Sequence, residues 1–508
     1  MSHLVIAPIL LPLLAGIALL LLRPFAIEMR RLLGLFAVAG QVALAIALLN
    51  RVRTGDILTY ALGGWAPPFG IVLVADRLAA WMLLITTLLA LFALLHAARG
   101  SDVRGRHFHV LFQLQLFGLN GAFLTGDLFN LFVFFEILLL ASYGLLLHGG
   151  GRQRTRAGLH FVVINLAGST LFLFAIGTLY GVLGTLNLAD LSRQASTLPA
   201  RDLGPVQSAG LLLFAVFALK SALLPMHLWL PAAYASASAS VAALFAIMTK
   251  VGAYGILRLE TLVFGDNTGP LSGLIQTWML PLALLTMVIG MLGVLAADTL
   301  RRQVAYLVVV SVGMLLTAFG LGSAAGIAAG LYYLPHTTFA AGAFFLLADA
   351  IARRRGEFGD RLEAEIALSD RHLLGALYFL VALLIAGLPP LSGFLGKWLT
   401  LQAALLHPWR EWVIAAILVT GLFGIIALAR SGSLLFYRSV AIEPGLDDVP
   451  TTVPVRELLP ATALILLCGA LVIWAGAADD FTRATAEQLL QPDDYLRAVL
   501  ELTRGFAS

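Results

Sequence analysis

Apolar segments of about twenty residues, the length at which a helix crosses a bilayer, recur along almost the whole of this chain. Roughly fourteen can be counted, near 3–22, 32–50, 78–97, 108–125, 128–147, 157–180, 208–224, 239–260, 272–296, 303–322, 325–351, 371–406, 410–437 and 457–476. A backbone in lipid must satisfy its own polar groups, so this pattern folds as a bundle of spanning helices. Composition points the same way. Of 508 residues, 60% are hydrophobic and 12% charged, with mean hydropathy +0.94, against about 25% charged in a soluble domain. The expected fold class is an all-α polytopic membrane protein, and a soluble enzyme is excluded.

Two segments are interrupted. The stretch 371–406 is too long for one straight helix and contains Pro389-Pro390, and the stretch after Lys220 meets Pro225 and then Pro231. Proline removes a backbone donor and clashes with the preceding turn. Broken helices survive within a membrane where protein or water satisfies the freed groups, as at transport sites. The first apolar stretch, Leu4 to Leu22, has no basic residue before it and no small-residue cleavage site, so it reads as a retained span and not a signal peptide.

Arginines set the expected orientation. The loops after odd-numbered spans carry Arg23, Arg30 and Arg31; Arg99, Arg104 and Arg106; Arg152, Arg154 and Arg156; Arg301 and Arg302; and Arg353, Arg354, Arg355 and Arg361. Even-numbered loops are poorer. The positive-inside rule makes the odd loops cytoplasmic and puts both termini on the outer side. The net charge of +4 therefore signals topology and not nucleic-acid binding. Between spans two and three, Ile57–Tyr60 and Phe69–Val74 flank Gly63-Gly64-Trp65-Ala66-Pro67-Pro68, which predicts a small exposed β-hairpin on the outer side. In the tail 477–508, Ala486, Leu489, Leu490, Leu496 and Leu500 among charges predict an amphipathic surface helix or a partner contact.

Four ionisable side chains lie within apolar segments: Glu136, Lys220, Lys250 and Lys397. Each costs a few kcal/mol to place at bilayer depth, roughly 2.5–3.5 on the insertion scale. Lys220 is about twelve residues into its segment, or roughly 18 Å at 1.5 Å per residue. A buried acid and a buried amine can hold one proton between them. Desolvation disfavours both charges and mutual attraction restores them, so small changes in distance or hydration move the proton. Lysine suits this because its pKa shifts readily, unlike that of arginine. The set reads as a proton or ion path.

Blander readings stand beside this one. Glu136 fits a structural ion pair. Lys250, about three to four residues from the middle of its span, also fits a snorkelling side chain. His336, after Pro335, is either a satisfied core residue or a relay. His227, just past Pro225, reads as structural, Asp349, next to Arg353 and Arg354, as an interfacial charge, and Asp127 as a helix cap. His96, His107, His109 and His148 sit at span ends or in loops and carry no signal. Cys468, the single cysteine, reads as a small buried apolar residue and permits no intrachain disulfide. There is no phosphate loop, metal-ligand spacing or haem-like histidine pair in the sequence, so no cofactor or metal is expected. A weak repeat relates Gly118-x-x-Gly121 before Asp127 to Gly290-x-x-Gly293 before Asp298. Nine residues past Asp127 is Glu136; nine past Asp298 is Leu307.

The run Thr125-Gly126-Asp127-Leu128-Phe129-Asn130-Leu131-Phe132-Val133-Phe134-Phe135-Glu136 resembles the fifth span of the antiporter-like subunits shared by respiratory complex I, membrane-bound hydrogenases and Mrp-type cation/proton antiporters. Lys220-Ser221-Ala222-Leu223-Leu224-Pro225 with Trp229-Leu230-Pro231 is similar to that family's broken seventh span. Thr249-Lys250-Val251-Gly252-Ala253-Tyr254 resembles its eighth, and Leu388-Pro389-Pro390 with Ser392-Gly393-Phe394 and Gly396-Lys397 its broken twelfth. The resemblance covers most of 60–440. It implies fourteen helices with two inverted five-helix repeats: 1–107 as helices 1–3 with the hairpin, 108–260 and 272–437 as the repeats, and 457–508 as helix 14 and the tail. It also implies a proton path through Glu136, Lys220, Lys250 and Lys397, to which His336 is the added candidate.

Within the family, Gly126–Glu136 and Gly63-Gly64-Trp65 with Gly70–Asp76 most resemble the D-type subunits of Mrp antiporters. Complex I relatives tend to carry Trp where Phe135 stands, and a histidine-containing stretch where Tyr234-Ala235-Ser236-Ala237 stands. The implied function is a secondary-transport subunit in a bacterial inner membrane, moving protons against Na⁺ or K⁺. Its implied partners are other antiporter subunits and the lipid bilayer. The competing readings are a proton-pumping subunit of a redox complex and a membrane scaffold.

Overall fold

A computed structural model describes residues 3–22, 26–364, 371–438 and 455–502. Arg23 and the end of the tail, 503–508, lie outside the described residues. In chain order the α-helices before the second half are α1 (Ala7–Leu21), α2 (Ile27–Val52), α3 (Arg77–Ala97), α4 (Phe108–Leu124), α5 (Leu128–Leu147), α6 (Arg152–Leu183), α7 (Leu188–Ser196), α8 (Leu203–Ser221), α9 (Trp229–Ser236), α10 (Ala239–Phe245) and α11 (Met248–Arg258). There follow α12 (Gln276–Ala296), α13 (Leu300–Gly320), α14 (Ala324–Arg354), α15 (Arg371–Ala386), α16 (Ser392–Ala404), α17 (Arg410–Gly432), α18 (Leu459–Ile473), α19 (Ala475–Leu490) and α20 (Asp493–Leu500).

Polar caps start the helices where the apolar runs begin. The Asp76 and Asp127 carboxylates each accept a backbone N–H at 2.8 Å, from Ala79 and Asn130, and Ser323 does the same for Gly326 at 3.1 Å. Among the described residues, eleven helices are long and apolar enough to cross a membrane, and α1, α4 and α15 are shorter apolar helices. These three have 15, 17 and 16 residues, so each rises roughly 22–26 Å against a hydrocarbon core of about 30 Å. The molecule is a multi-pass membrane protein. The span α10–α11 and the long α14, buried from Gly326 to Ile351, form its centre, while α6 and α17 turn Leu159, Val163, Leu418 and Leu422 outward.

The arginine-rich loops gather at one end. Arg31 makes two hydrogen bonds to Asp102, joining the start of α2 to the loop after α3. Asp349 joins α14 to two further elements, with Arg301 of α13 at 3.0 Å and His96 of α3 at 3.7 Å, and pairs with Arg353 of its own helix at 2.7 Å. Asp349 is thus a buried hub and not merely an interfacial charge. His109 and His148 are also buried and bonded, to Asp102 and to the Ser101 carbonyl. Neither gives a signal in the sequence, because burial of a loop is invisible in one dimension.

The repeat noted in the sequence has a physical basis, with one correction. Gly118 and Gly121 let α4 lie on Leu138 and Phe134 of α5; Gly290 and Gly293 let α12 lie on Val310 and Tyr306 of α13. A Cβ at any of the four would come within about 3 Å of its neighbour. Each second helix is also tied at its start: Leu128 N–H to the Leu186 carbonyl, Leu300 N–H to that of Asp360. This register pairs Asp127 with Thr299, not Asp298, and carries Glu136 onto Val308, not Leu307. Val308 is buried and apolar, so the second helix pair holds no acid at this position.

The hairpin forms but is not an exposed one. β1 (Leu58–Ala61) and β2 (Val72–Ala75) pair antiparallel, Leu58 opposite Ala75. All of β2 is buried, because the Gly126 N–H donates to the Val72 carbonyl at 2.9 Å and Leu73 bridges Thr125. Only the tip is open, at Trp65 and Phe69. The tail docks back on the same chain. Arg77 donates to the Ala484 carbonyl at 2.8 Å, Gln488 to that of Gly55 at 3.0 Å, and Tyr495 covers the Arg258 guanidinium, itself paired with Asp76 at 2.6 Å. Ala486 and Leu489 of the apolar stripe are buried against the same chain, Leu496 and Leu500 are half-buried, and Leu490 stays exposed.

Candidate functional site

In the first half, Glu136 and Lys220 meet through one side chain. The Ser169 hydroxyl donates to Glu136 Oε1. Lys220 Nζ lies 3.4 Å from the same hydroxyl and also donates to Asn165, at 3.2 Å to its carbonyl and 3.3 Å to its side-chain oxygen. A hydroxyl has one proton to give and lone pairs to accept with, so Ser169 serves both partners at once. Among the described residues no direct ion pair joins the two. Lys220 is buried, whereas Glu136 is half-buried. Phe135, Phe172 and Phe217 pack as an aromatic collar beside them. Sequence reasoning missed Asn165 and Ser169. Their signal was available: two polar residues one turn apart in an apolar run, hence on one face of α6.

The seventh-span break lies where Pro225 predicted it. α8 ends at Ser221, Ala222 is left-handed (φ 60°), and α9 resumes at Trp229. The freed groups find partners: the Leu224 N–H donates to Thr286 Oγ1 at 2.9 Å, and the Trp229 indole to the Leu219 carbonyl at 3.0 Å. The eighth span is also interrupted, between Phe245 and Met248, which no proline announced. Lys250 stands in the first turn after that interruption. It is completely buried, with Ser311 Oγ at 3.4 Å. It does not snorkel, because its helix is enclosed by others and its side chain cannot reach an interface. Gly252 keeps α11 against α8: a Cβ there would lie 2.6 Å from the Ser221 nitrogen.

In the second half α15 ends at Ala386 and α16 starts at Ser392, bracketing Pro389 and Pro390. Lys397 folds back on this break. Its Nζ donates to the Ala386 carbonyl at 2.7 Å and reaches that of Ile385 at 3.4 Å. A cation thus sits on the C-terminal carbonyls of a helix, where the helix dipole favours it. His336 is buried, with Nδ1 2.9 Å from Ser392 Oγ, and the Cys468 thiol lies 3.8 Å from its carbonyl. His336 and Lys397 line a cavity of about 40 Å³ together with Ser311, Thr337 and Thr420. About 10–15 Å³ suffices for one water with polar partners, so the cavity can hydrate the gap between them.

The five candidates therefore form two clusters. Glu136 and Lys220 share Ser169, and the Lys250 partner Ser311, His336 and Lys397 face one cavity. The clusters meet where α11 packs on α8. His227 is buried beside the break with Nδ1 unpartnered and belongs to neither cluster.

A family profile described as NADH:quinone oxidoreductase/Mrp antiporter, TM, matches residues 125–424. The chain belongs to the NADH:quinone oxidoreductase/Mrp antiporter family. The family match takes in all five candidate residues and both helix breaks. The chain is 41% identical to the D-type subunit of a probable K⁺/H⁺ antiporter of Rhizobium meliloti, with 99% of each chain covered. It is 34% identical to the D-type subunit of a Na⁺/H⁺ antiporter of Alkalihalophilus pseudofirmus, covering 99% of this chain and 100% of that one. Among solved structures it is similar to a chain of the Mrp complex from Dietzia sp., with TM-score 0.88, 27% identity, and 98% of this chain and 100% of that one covered. Tyr234 donates to the Phe245 carbonyl at 2.7 Å and closes the α9–α10 corner.

Proposed function

We propose that this chain is the D-type subunit of a multisubunit monovalent cation/proton antiporter, and that Glu136, Lys220, Lys250, His336 and Lys397 carry protons exchanged for Na⁺ or K⁺. The single observation that carries this reading is the Ser169 hydroxyl between Glu136 and Lys220. A proton can leave Lys220 Nζ for Ser169 Oγ as the Ser169 proton passes to Glu136. The pair then changes from carboxylate and ammonium to carboxylic acid and amine, with no net charge moved into the membrane. Both outer members of the row, Glu136 and Lys397, are half-buried, while Lys220, Lys250 and His336 are sealed. That suits exchange of protons with water or a neighbouring subunit at the two ends.

The reading extends to topology. Fourteen spans result if α1, α4 and α15 cross with the eleven longer helices. The repeats then run over 108–260 and 272–437, flanked by 1–107 and 457–508. Both termini and the hairpin tip lie on the outer side of the bacterial inner membrane, opposite the gathered arginines. Full-length kinship with antiporter subunits favours this reading over a redox-complex subunit.

The test is pH-gradient-linked Na⁺ or K⁺ exchange in everted vesicles holding the assembled complex. Glu136→Ala and Lys220→Ala should each abolish it with the complex intact. Normal exchange at normal protein levels in either variant would refute the assignment.

A further inference from the structure

The mechanism leaves unused a large cleft among the described residues. It holds about 1240 Å³ and lies at the arginine-rich end, between the start of α6, the half-helix α9 and the start of α13. This exceeds the roughly 300–1,000 Å³ of ordinary small-ligand sites. Arg152, Arg154, Arg156, Arg301 and Arg302 line it, with one carboxylate, Asp360. Asp360 is already engaged, accepting the Arg301 backbone N–H at 2.9 Å. Arg154 spends its hydrogen bonds on the His148 and Ser236 carbonyls, at 2.7 and 2.8 Å, which neutralises no charge. Arg301 and Arg302 have acidic neighbours, Asp349 at 3.0 Å and Asp298 at 3.4 Å. Arg301 also lies 4.0 Å from Asp360, so the cleft is cationic through Arg152, Arg154 and Arg156, which pair with no carboxylate among the described residues.

Its position relative to lipid follows from helix length. α6 has 32 residues and is roughly 48 Å long, against about 30 Å of hydrocarbon. Its first turns must project into the headgroup layer. Directly below them, Leu159, Val163 and Leu166 are 65%, 56% and 58% exposed, an apolar track continuous with the cationic mouth.

We propose that this cleft binds the headgroup of an anionic phospholipid, its phosphate on Arg152, Arg156 and Arg302 and its acyl chains along the outer face of α6. Basic pockets at the membrane interface attract such headgroups, and guanidinium forks suit phosphate oxygens. A free phosphate would use the arginines and ignore the apolar track; a diacyl lipid uses both. The bound lipid also braces α9, the half-helix after the Lys220 break, because α9 lines the cleft through Pro231 and Ala235 and is tied to α6 by Arg154 and Ser236.

The experiment is native mass spectrometry of the intact complex, released from vesicles of phosphatidylglycerol and phosphatidylethanolamine. The wild type should retain phosphatidylglycerol selectively. The triple variant Arg152→Gln, Arg156→Gln, Arg302→Gln should bind it roughly 100-fold more weakly, as three interfacial arginines are lost. The corresponding Arg→Lys triple variant should keep most of the binding and excludes misfolding as the cause. Equal retention by wild type and Gln variant would overturn the proposal. So would displacement of the lipid by inorganic phosphate, or cross-linking of Arg156→Cys to another subunit seated in the cleft.

Discussion

Lys220 reaches Glu136 through the hydroxyl of Ser169, which donates to the carboxylate and accepts from the amine. The distance between acid and base is thus bridged by a hydroxyl, which can donate on one side and accept on the other without itself ionising. Ser169→Ala keeps both titrating groups and removes the relay. Proton-coupled cation exchange should fall roughly 100-fold, the low end of the range for a positioned proton-transfer group, with assembly unchanged. Ser169→Thr should retain most of the activity. Vesicle exchange assays on the two variants separate relay from packing.

Lys397 binds carbonyls at the end of α15 and has no carboxylate partner among the described residues. Lys397→Arg can remake those carbonyl contacts but stays charged at every working pH. It should therefore stop exchange nearly as completely as Lys397→Ala, while restoring thermal stability that the alanine variant loses. Normal exchange in the arginine variant would make Lys397 an electrostatic fixture and not a carrier.

Gly252 touches the backbone of α8 at the residue after Lys220. In Gly252→Val the Cβ would meet the Ser221 nitrogen at 2.6 Å, so α11 and Lys250 must move away from the Lys220 break. Overpacking of this kind costs about 1–3 kcal/mol. The complex should still assemble at reduced yield, and exchange should fall more steeply than protein level. Quantitative immunoblotting beside the transport assay measures both.

Asp102, in the loop between α3 and α4, anchors Arg31 and His109. Burial pushes its carboxyl upward, but the hydrogen bonds from Arg31 and His109 outweigh it, and the group rests well below the ordinary carboxylate range. A depressed carboxylate contributes stability above its unfolded pKa of about 3.9 and loses it as pH falls towards the folded value. Asp102→Asn should cost about 3 kcal/mol at neutral pH, the low end for breaking a buried pair, since Arg31 keeps Glu28 at 2.9 Å. The difference in thermal unfolding between wild type and variant should hold down to about pH 4 and narrow progressively below it.

Much of the site was legible in one dimension because lipid makes charge expensive. Glu136, Lys220, Lys250 and Lys397 announce themselves by standing in apolar runs, and Pro225 and Pro389-Pro390 announce the breaks by chemistry that no context changes. Asn165 and Ser169 did not stand out, because an uncharged polar residue in an apolar helix costs little and carries little signal until its neighbour is known. The break before Lys250 had no proline to mark it. The repeat was visible as two glycine pairs, yet its register slipped by one residue, since Asp298 looks like a cap and Thr299 is the residue that caps α13.

The membrane, the helical segments, the positive end and the identity of the titrating groups are all written in the order of the residues. They follow from the transfer of single side chains and single helices between water and lipid. Which of these groups come together is a matter of packing. Only the placement of α6 between α5 and α8 puts one hydroxyl against both Glu136 and Lys220. Only the fold of α15 and α16 turns Lys397 onto carbonyls of its own break. Burial of β2 and docking of α19–α20 were settled in the same way, by contacts between segments far apart in sequence, to which local pattern is blind.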